Sequence, residues 1–192
     1  MHQTPYVHRM FRDVFTGIDT RQKKAIPINE LHTLLNEDPQ SDKLRRTQAI
    51  ANLLFLFCGM PFVDLAYLEK SNLEGNMLKY NRAKTGIPMN VEILDSAATI
   101  ISQLRNKHTT VLPEHPDYLF YILSGKNKRS DEAGYKEYQS ALRCFNNDLK
   151  SLARKLCIRS SVTSYTFRHK WEYHKNNTCL LYTSPSPRDR TR

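Results

Sequence analysis

Met77-Leu78-Lys79-Tyr80-Asn81-Arg82-Ala83-Lys84-Thr85-Gly86-Ile87-Pro88-Met89-Asn90-Val91-Glu92-Ile93 reads as a β-hairpin. Residues 77–82 alternate, Ala83-Lys84-Thr85-Gly86 turns, and residues 87–93 alternate back. Gly75-Asn76 marks the turn before it. The other periodic segments of the chain step by three and four. The expected fold class is therefore mainly α with a small antiparallel β-sheet.

Upstream of the hairpin, Pro27 permits a helix start, and residues 29–35 form a short amphipathic helix. Asp38-Pro39-Gln40-Ser41-Asp42 is a turn. Lys43 to Phe57 reads as a helix with a buried second half, although Asn52 interrupts its apolar run; Gly59 ends it. Phe62 to Leu68 is a further short helix. Downstream, Asp95 or Ser96 caps a helix running to about Asn106. Tyr118 to Leu123 is either a buried segment or a short strand, and Lys126 to Gly134 is a polar loop. The strongest helix is Tyr135 to Leu156: Tyr138, Leu142, Phe145, Leu149, Leu152 and Leu156 make one apolar stripe opposite Lys136, Arg143, Lys150, Arg154 and Lys155. Thr163 or Ser164 caps a last helix carrying Arg168 and His169. Residues 1–24 are basic and irregular, the end of an upstream element and a linker.

The 192 residues carry 29 Lys and Arg against 19 Asp and Glu, a formal net charge of +10. Mean hydropathy is −0.60. No stretch approaches the roughly 18 apolar residues of a membrane helix, and the N-terminus shows no signal-peptide pattern. A soluble, non-secreted, cytoplasmic protein is expected, with no membrane partner and a field suited to polyanions. Cys58, Cys144, Cys157 and Cys179 are dispersed, without a CxxC pair, and read as free buried thiols.

Arg82 and Lys84 near the hairpin tip are either solvated charges or cations reaching a DNA groove or phosphate. Arg168 and His169 are either a surface arginine with a core histidine or a phosphate-binding pair near a helix N-terminus. His169, His174 and Cys179 are five residues apart, a spacing that does not gather three ligands on one helical face, so no metal is expected. No phosphate-binding glycine loop of either common type is present.

The order of these features carries a resemblance. Gly59-Met60-Pro61-Phe62-Val63-Asp64-Leu65-Ala66-Tyr67-Leu68 precedes Tyr80-Asn81-Arg82-Ala83-Lys84-Thr85-Gly86; a long helix follows, then Thr163-Ser164-Tyr165-Thr166-Phe167-Arg168-His169-Lys170-Trp171. Over about residues 10–171 this resembles the tyrosine recombinase (phage integrase) family, in particular integrases of Bacteroides-type mobile elements. Phe11 to Asp19 and Lys24-Ala25-Ile26-Pro27 resemble the interdomain linker of that subgroup. The resemblance implies site-specific DNA recombination through a 3′-phosphotyrosyl intermediate on double-stranded DNA, without metal or other cofactor. Fixed cations then stabilise the transferring phosphate, and a hairpin lysine protonates the leaving oxygen. By the same resemblance, Lys84 is that lysine, Arg168 the second arginine of the H-x-x-R-H box, and His169 its following histidine. Arg82 and Lys84 are implied DNA contacts. A homotetramer on DNA, associated with the bacterial nucleoid, is also implied.

Three departures accompany the resemblance. Tyr165 stands where the box has its first histidine. The first-arginine slot holds Pro61, or Cys58 by the Bacteroides-type pattern, and neither is a cation; Asp64 takes the place of the pattern's glutamate. The nucleophilic tyrosine, expected well beyond the box, has no counterpart. Tyr182 lies too close to Arg168, in a stretch from Cys179 to Asp189 that matches a translated transposase-type sequencing-library adapter codon for codon. The expected organisation is therefore residues 1–26 as a remnant of the N-terminal DNA-binding domain and linker, 27–178 as a catalytic domain truncated at its C-terminus, and 179–192 as an artefactual tail. That tail holds three arginines and one aspartate, so the rest carries +8. The alternative reading is a noncatalytic basic helical module binding DNA or RNA.

Overall fold

A computed structural model describes residues 26–105, 117–127 and 129–177, with side chains to Trp171. The sequence-derived linker before Ile26 and the tail after residue 177 lie outside the described residues. Six α-helices, one short 3-10 helix (Lys70–Asn72) and one sheet are described: α1 (Ile28–Asn36), α2 (Asp42–Leu56), α3 (Phe62–Ala66), β1 (Leu73–Glu74), β2 (Met77–Asn81), β3 (Pro88–Glu92), α4 (Asp95–Leu104), α5 (Glu132–Lys155) and α6 (Ser164–Asn177). The expected class, mainly helical with a small antiparallel sheet, is the one observed.

Helix α2 is the central element, packed against α1, α4, α5 and α6. Its Ile50, Ala51, Leu53 and Leu54 are buried. Asn52, the polar break in that run, has a structural use. Its side-chain amide donates to Leu35 O at 2.9 Å, and the Gln48 amide donates to Leu34 O at 2.9 Å and Glu37 O at 2.7 Å. Two amides of α2 thus satisfy carbonyls at the C-terminal end of α1, which otherwise lack intrahelical partners.

The α5 stripe turns inward as its spacing requires. Phe145, Leu149 and Leu152 are buried, and Tyr138, Leu142 and Leu156 pack against the core. Phe145 stacks on Phe62, with centroids 4.7 Å apart, which fixes α3 on α5. The lysines and arginines of the opposite face are exposed. The sheet has order β1-β2-β3, all antiparallel, with Leu78 paired to Val91 on the buried side.

Some expectations change, and one open alternative closes. Strand β1 was not anticipated: two residues are too short for a periodic signal, and they pair with β2 through the Gly75-Asn76 turn. Tyr118 to Leu123 is a buried segment and not a strand, because it meets a different neighbour at each point: Leu119 N–H donates to Leu68 O at 2.7 Å, while Phe120 bridges to Arg105. Cys144 and Cys157 are exposed and Cys58 is half-buried, and none of the three is in a disulfide, so the expected burial of the thiols is corrected. Cys144 stands one residue off the α5 stripe, and Cys157 follows the last turn of α5 with φ 56°. Helix α4 starts at Asp95, with Leu94 in the capping position and no side-chain cap. Asp95 in that first turn still complements the helix dipole.

Candidate functional site

Three segments far apart in sequence meet where α2 ends. Cys58 and Gly59 are consecutive left-handed residues, with φ of 58° and 68°. This turn lays Gly59 against α6. A Cβ there would sit 3.0 Å from Arg168 Cα and 3.2 Å from Trp171 Cβ. Helix α6 is fixed at its start: Thr163 N–H donates to Thr166 Oγ1 and Ser164 N–H to Asn146 Oδ1, each at 2.9 Å. Thr163 holds the position just before α6, and its N–H is taken by the Thr166 side chain three residues on, as in half of a capping box. Arg168 follows one turn later, half-buried, with Phe167 wholly buried beneath it.

The second segment is the hairpin. Gly86 N–H donates to Arg82 O at 2.8 Å, and Gly86 adopts φ 67°, closing the loop that presents Lys84. Lys84 is exposed, whereas Arg82 is half-buried. Asp64 on α3 anchors this loop: its Oδ1 accepts the Ala83 N–H at 2.8 Å. The Asp64 side chain is only 5% exposed, and its Oδ2 has no hydrogen-bond partner among the described residues. Burial raises its pKa above the ordinary aspartate range, against the Ala83 hydrogen bond and the fields of Arg82, Arg129 and Arg168. Tyr80 lies in the same surroundings. Burial, reinforced by Asp64, pushes its phenol strongly upward. Tyr80 is accordingly a neutral donor at physiological pH.

A cleft of about 40 Å3 lies between the α3 segment, α5 and α6, lined by Pro61, Val63, Tyr138, Ser164, Tyr165 and Arg168 among others. Two of the positions that depart from the pattern the sequence resembles, Pro61 and Tyr165, thus line one cleft with Arg168. Tyr165 is 62% exposed. Its ring lies 6.2 Å from that of His169, as expected for neighbours four apart on a helix. His169 Nε2 is buried, with no hydrogen-bond partner among the described residues. Cys58 reaches the same region, where it acts on Tyr80.

Arg129 was not singled out by sequence. It comes from the polar loop before α5, and its Cζ lies 4.7 Å over the Tyr67 ring. One arginine among Lys126, Lys128, Arg129 gives no local signal of this placement.

The carboxyl of Asp64 makes stability pH-dependent. A carboxyl with a raised folded pKa binds its proton more tightly when folded, so stability declines as pH rises from the ordinary aspartate value through the raised one. Asp64→Asn keeps an acceptor for Ala83 and removes the charge. Thermal melts across the acid range should show a smaller decline for Asp64→Asn than for wild type; parallel curves would contradict the burial argument.

No family model matches the sequence. No curated protein matches it either. Among solved structures, a crystal structure of the XerA recombinase is similar, with a TM-score of 0.52 and 20% sequence identity over 80% of this chain. The chain spans about half of that protein, 51% of its length. The fold implied by the order of motifs is thus the fold found: the chain is built like part of a recombinase.

Proposed function

We propose that this chain is the core of a tyrosine recombinase catalytic domain, whose parent protein cleaves and rejoins double-stranded DNA through a 3′-phosphotyrosyl link. The observation that supports it is that the segment Cys58–Asp64 meets α6 through Gly59 and the hairpin loop through Asp64, beside a cleft lined by Pro61, Tyr165 and Arg168. In this reading Arg168 binds the scissile phosphate, and Lys84 protonates the leaving 5′-oxygen. His169 supports Arg168. Tyr165 donates a hydrogen bond where relatives have histidine; with an ordinary pKa of about 10, a tyrosine is a poor base near neutrality. Arg82 and Lys84 contact DNA. The reaction uses no cofactor, and the parent assembles on DNA as a homotetramer in the bacterial nucleoid. Residues 1–26 belong to the linker and N-terminal domain, 27–178 to the catalytic domain, and 179–192 to an adapter-derived tail. The nucleophilic tyrosine belongs to native sequence beyond Thr178.

Genomic sequencing of the parent locus tests the organisation: a Gly-His box and a later helical tyrosine should follow codon 178. Native coding of residues 179–192 followed by a stop would defeat it. A noncatalytic DNA-binding relative is the second reading, favoured by Pro61 beside Arg168 where relatives carry a cation.

Both readings require duplex binding. Each phosphate neutralised releases counterions, so affinity should fall at least ~100-fold between about 50 and 200 mM salt. Fluorescence anisotropy with a labelled duplex measures this, and salt-independent binding would contradict a phosphate-facing surface.

A further inference from the structure

We propose that Arg129 supplies the second guanidinium of the Arg168 phosphate site, delivered from the loop before α5 in place of the α2–α3 turn. This rests on the phosphate-binding reading of Arg168 given above. The turn itself offers no cation, since its candidate positions are Cys58 and Pro61. A lone arginine leaves a dianionic pentavalent phosphate under-neutralised, and removal of one such donor typically costs a factor of ~100 or more.

The geometry holds Arg129 at the α3 end of this site. Its guanidinium lies 4.7 Å over the face of Tyr67, the residue that ends α3. Tyr67 is itself held between two rings, with centroids 5.9 Å from Tyr118 and 5.7 Å from Tyr138. Tyr138 lines the cleft with Pro61, Tyr165 and Arg168. A continuous aromatic path therefore runs from the Arg129 platform to the Arg168 cleft. Asp64, on the short helix that Tyr67 caps, is acted on by the charges of both Arg129 and Arg168. Stacking on an aromatic face holds a guanidinium in a defined plane while leaving its N–H edge available. Arg129 is otherwise exposed. Asp64 supplies a compensating charge within the cluster, and its anchored hairpin brings Arg82 to the same side.

The ligand class is a phosphodiester bound by two arginines at once. A double-mutant cycle on the full chain separates this from two independent surface contacts. The probe is a fluorescein-labelled 20-base-pair duplex at fixed salt, read by anisotropy. Arg129→Ala and Arg168→Ala should each weaken binding about 10-fold, and the double variant should weaken it by clearly less than the ~100-fold product, because both residues grip one phosphate. Arg154→Ala, on the exposed face of α5, should combine additively with Arg168→Ala. Arg129→Lys keeps the charge but loses the planar fork, and should recover only part of the loss. Unchanged affinity in Arg129→Ala, or strict additivity with Arg168→Ala, overturns the proposal. If wild type binds no duplex, or Arg168→Ala alone has no effect, the phosphate-binding reading itself fails first.

Discussion

Gly59→Ala is expected to destabilise the protein by ~3 kcal/mol, a large share of the 5–15 kcal/mol typical of a domain. Two costs combine. The residue has φ 68°, where a Cβ costs about 1–2 kcal/mol. The added methyl would also lie 3.0 Å from Arg168 Cα and 3.2 Å from Trp171 Cβ. The first of these is backbone and cannot rotate aside, so α6 must shift, with an overpacking cost of about 1–3 kcal/mol. Gly75→Ala is the internal control: it shares the left-handed backbone, with φ 61°, but nothing lies within 4 Å of its added Cβ. Urea denaturation should therefore show a loss of only ~1 kcal/mol for Gly75→Ala. Equal losses in both variants would mean that the Gly59–α6 contact is unimportant. Because the contacted atom is Arg168 Cα, the same substitution displaces the proposed phosphate ligand, and DNA binding should weaken along with stability.

The second large effect concerns chemistry. In the restored parent protein, Arg168→Ala should lower the rate of strand cleavage by ~10²–10³-fold, the usual cost of removing a preorganised donor from a developing oxyanion. Lys84→Ala should lower it by ~10²–10⁴-fold through loss of the proposed general acid. The two variants differ in what restores them. A substrate with a 5′-phosphorothiolate leaving group needs no proton, so it should rescue Lys84→Ala and leave Arg168→Ala impaired. Overall duplex affinity should survive in Lys84→Ala, since one exposed lysine is a small part of a long phosphate contact. Cleavage at wild-type rates in both variants would remove both residues from the mechanism.

Much of the fold is legible in the sequence because its signals are periodic. The hairpin has period two on both arms and a left-handed glycine at its turn. The stripe from Tyr138 to Leu156 has the helical period, and five of its basic residues fall on the other face. The missing pieces lack periodicity for physical reasons. Strand β1 is two residues long, and Tyr118 to Leu123 owes its conformation to Leu68 and Arg105 rather than to its own pattern. Asn52 weakens the apolar reading of α2 until α1 is seen beside it.

The site is legible in a different way. Arg168, Lys84 and Tyr165 stand out through the order of motifs, and the cleft does unite Arg168 with Tyr165 and Pro61. The bond from Asp64 to Ala83 crosses 19 positions and has no local signature. Arg129 depends on an aromatic platform assembled from three separate elements, so its basic loop looks like any solvated one. Cys58 and Gly59 show why the arginine slot matters structurally: two left-handed residues and a backbone-to-backbone approach leave the turn little room for variation.

The most direct measurement is formation of a covalent protein–DNA adduct. The parent protein, restored with its native sequence beyond residue 178, is incubated without metal on a nicked duplex carrying the element end from the same locus, and resolved under denaturing conditions. The expected result is an adduct on the 3′ side of the break, a free 5′-hydroxyl, and loss of the adduct in Arg168→Ala. Tight duplex binding with no adduct would contradict a recombinase and leave a noncatalytic DNA-binding protein.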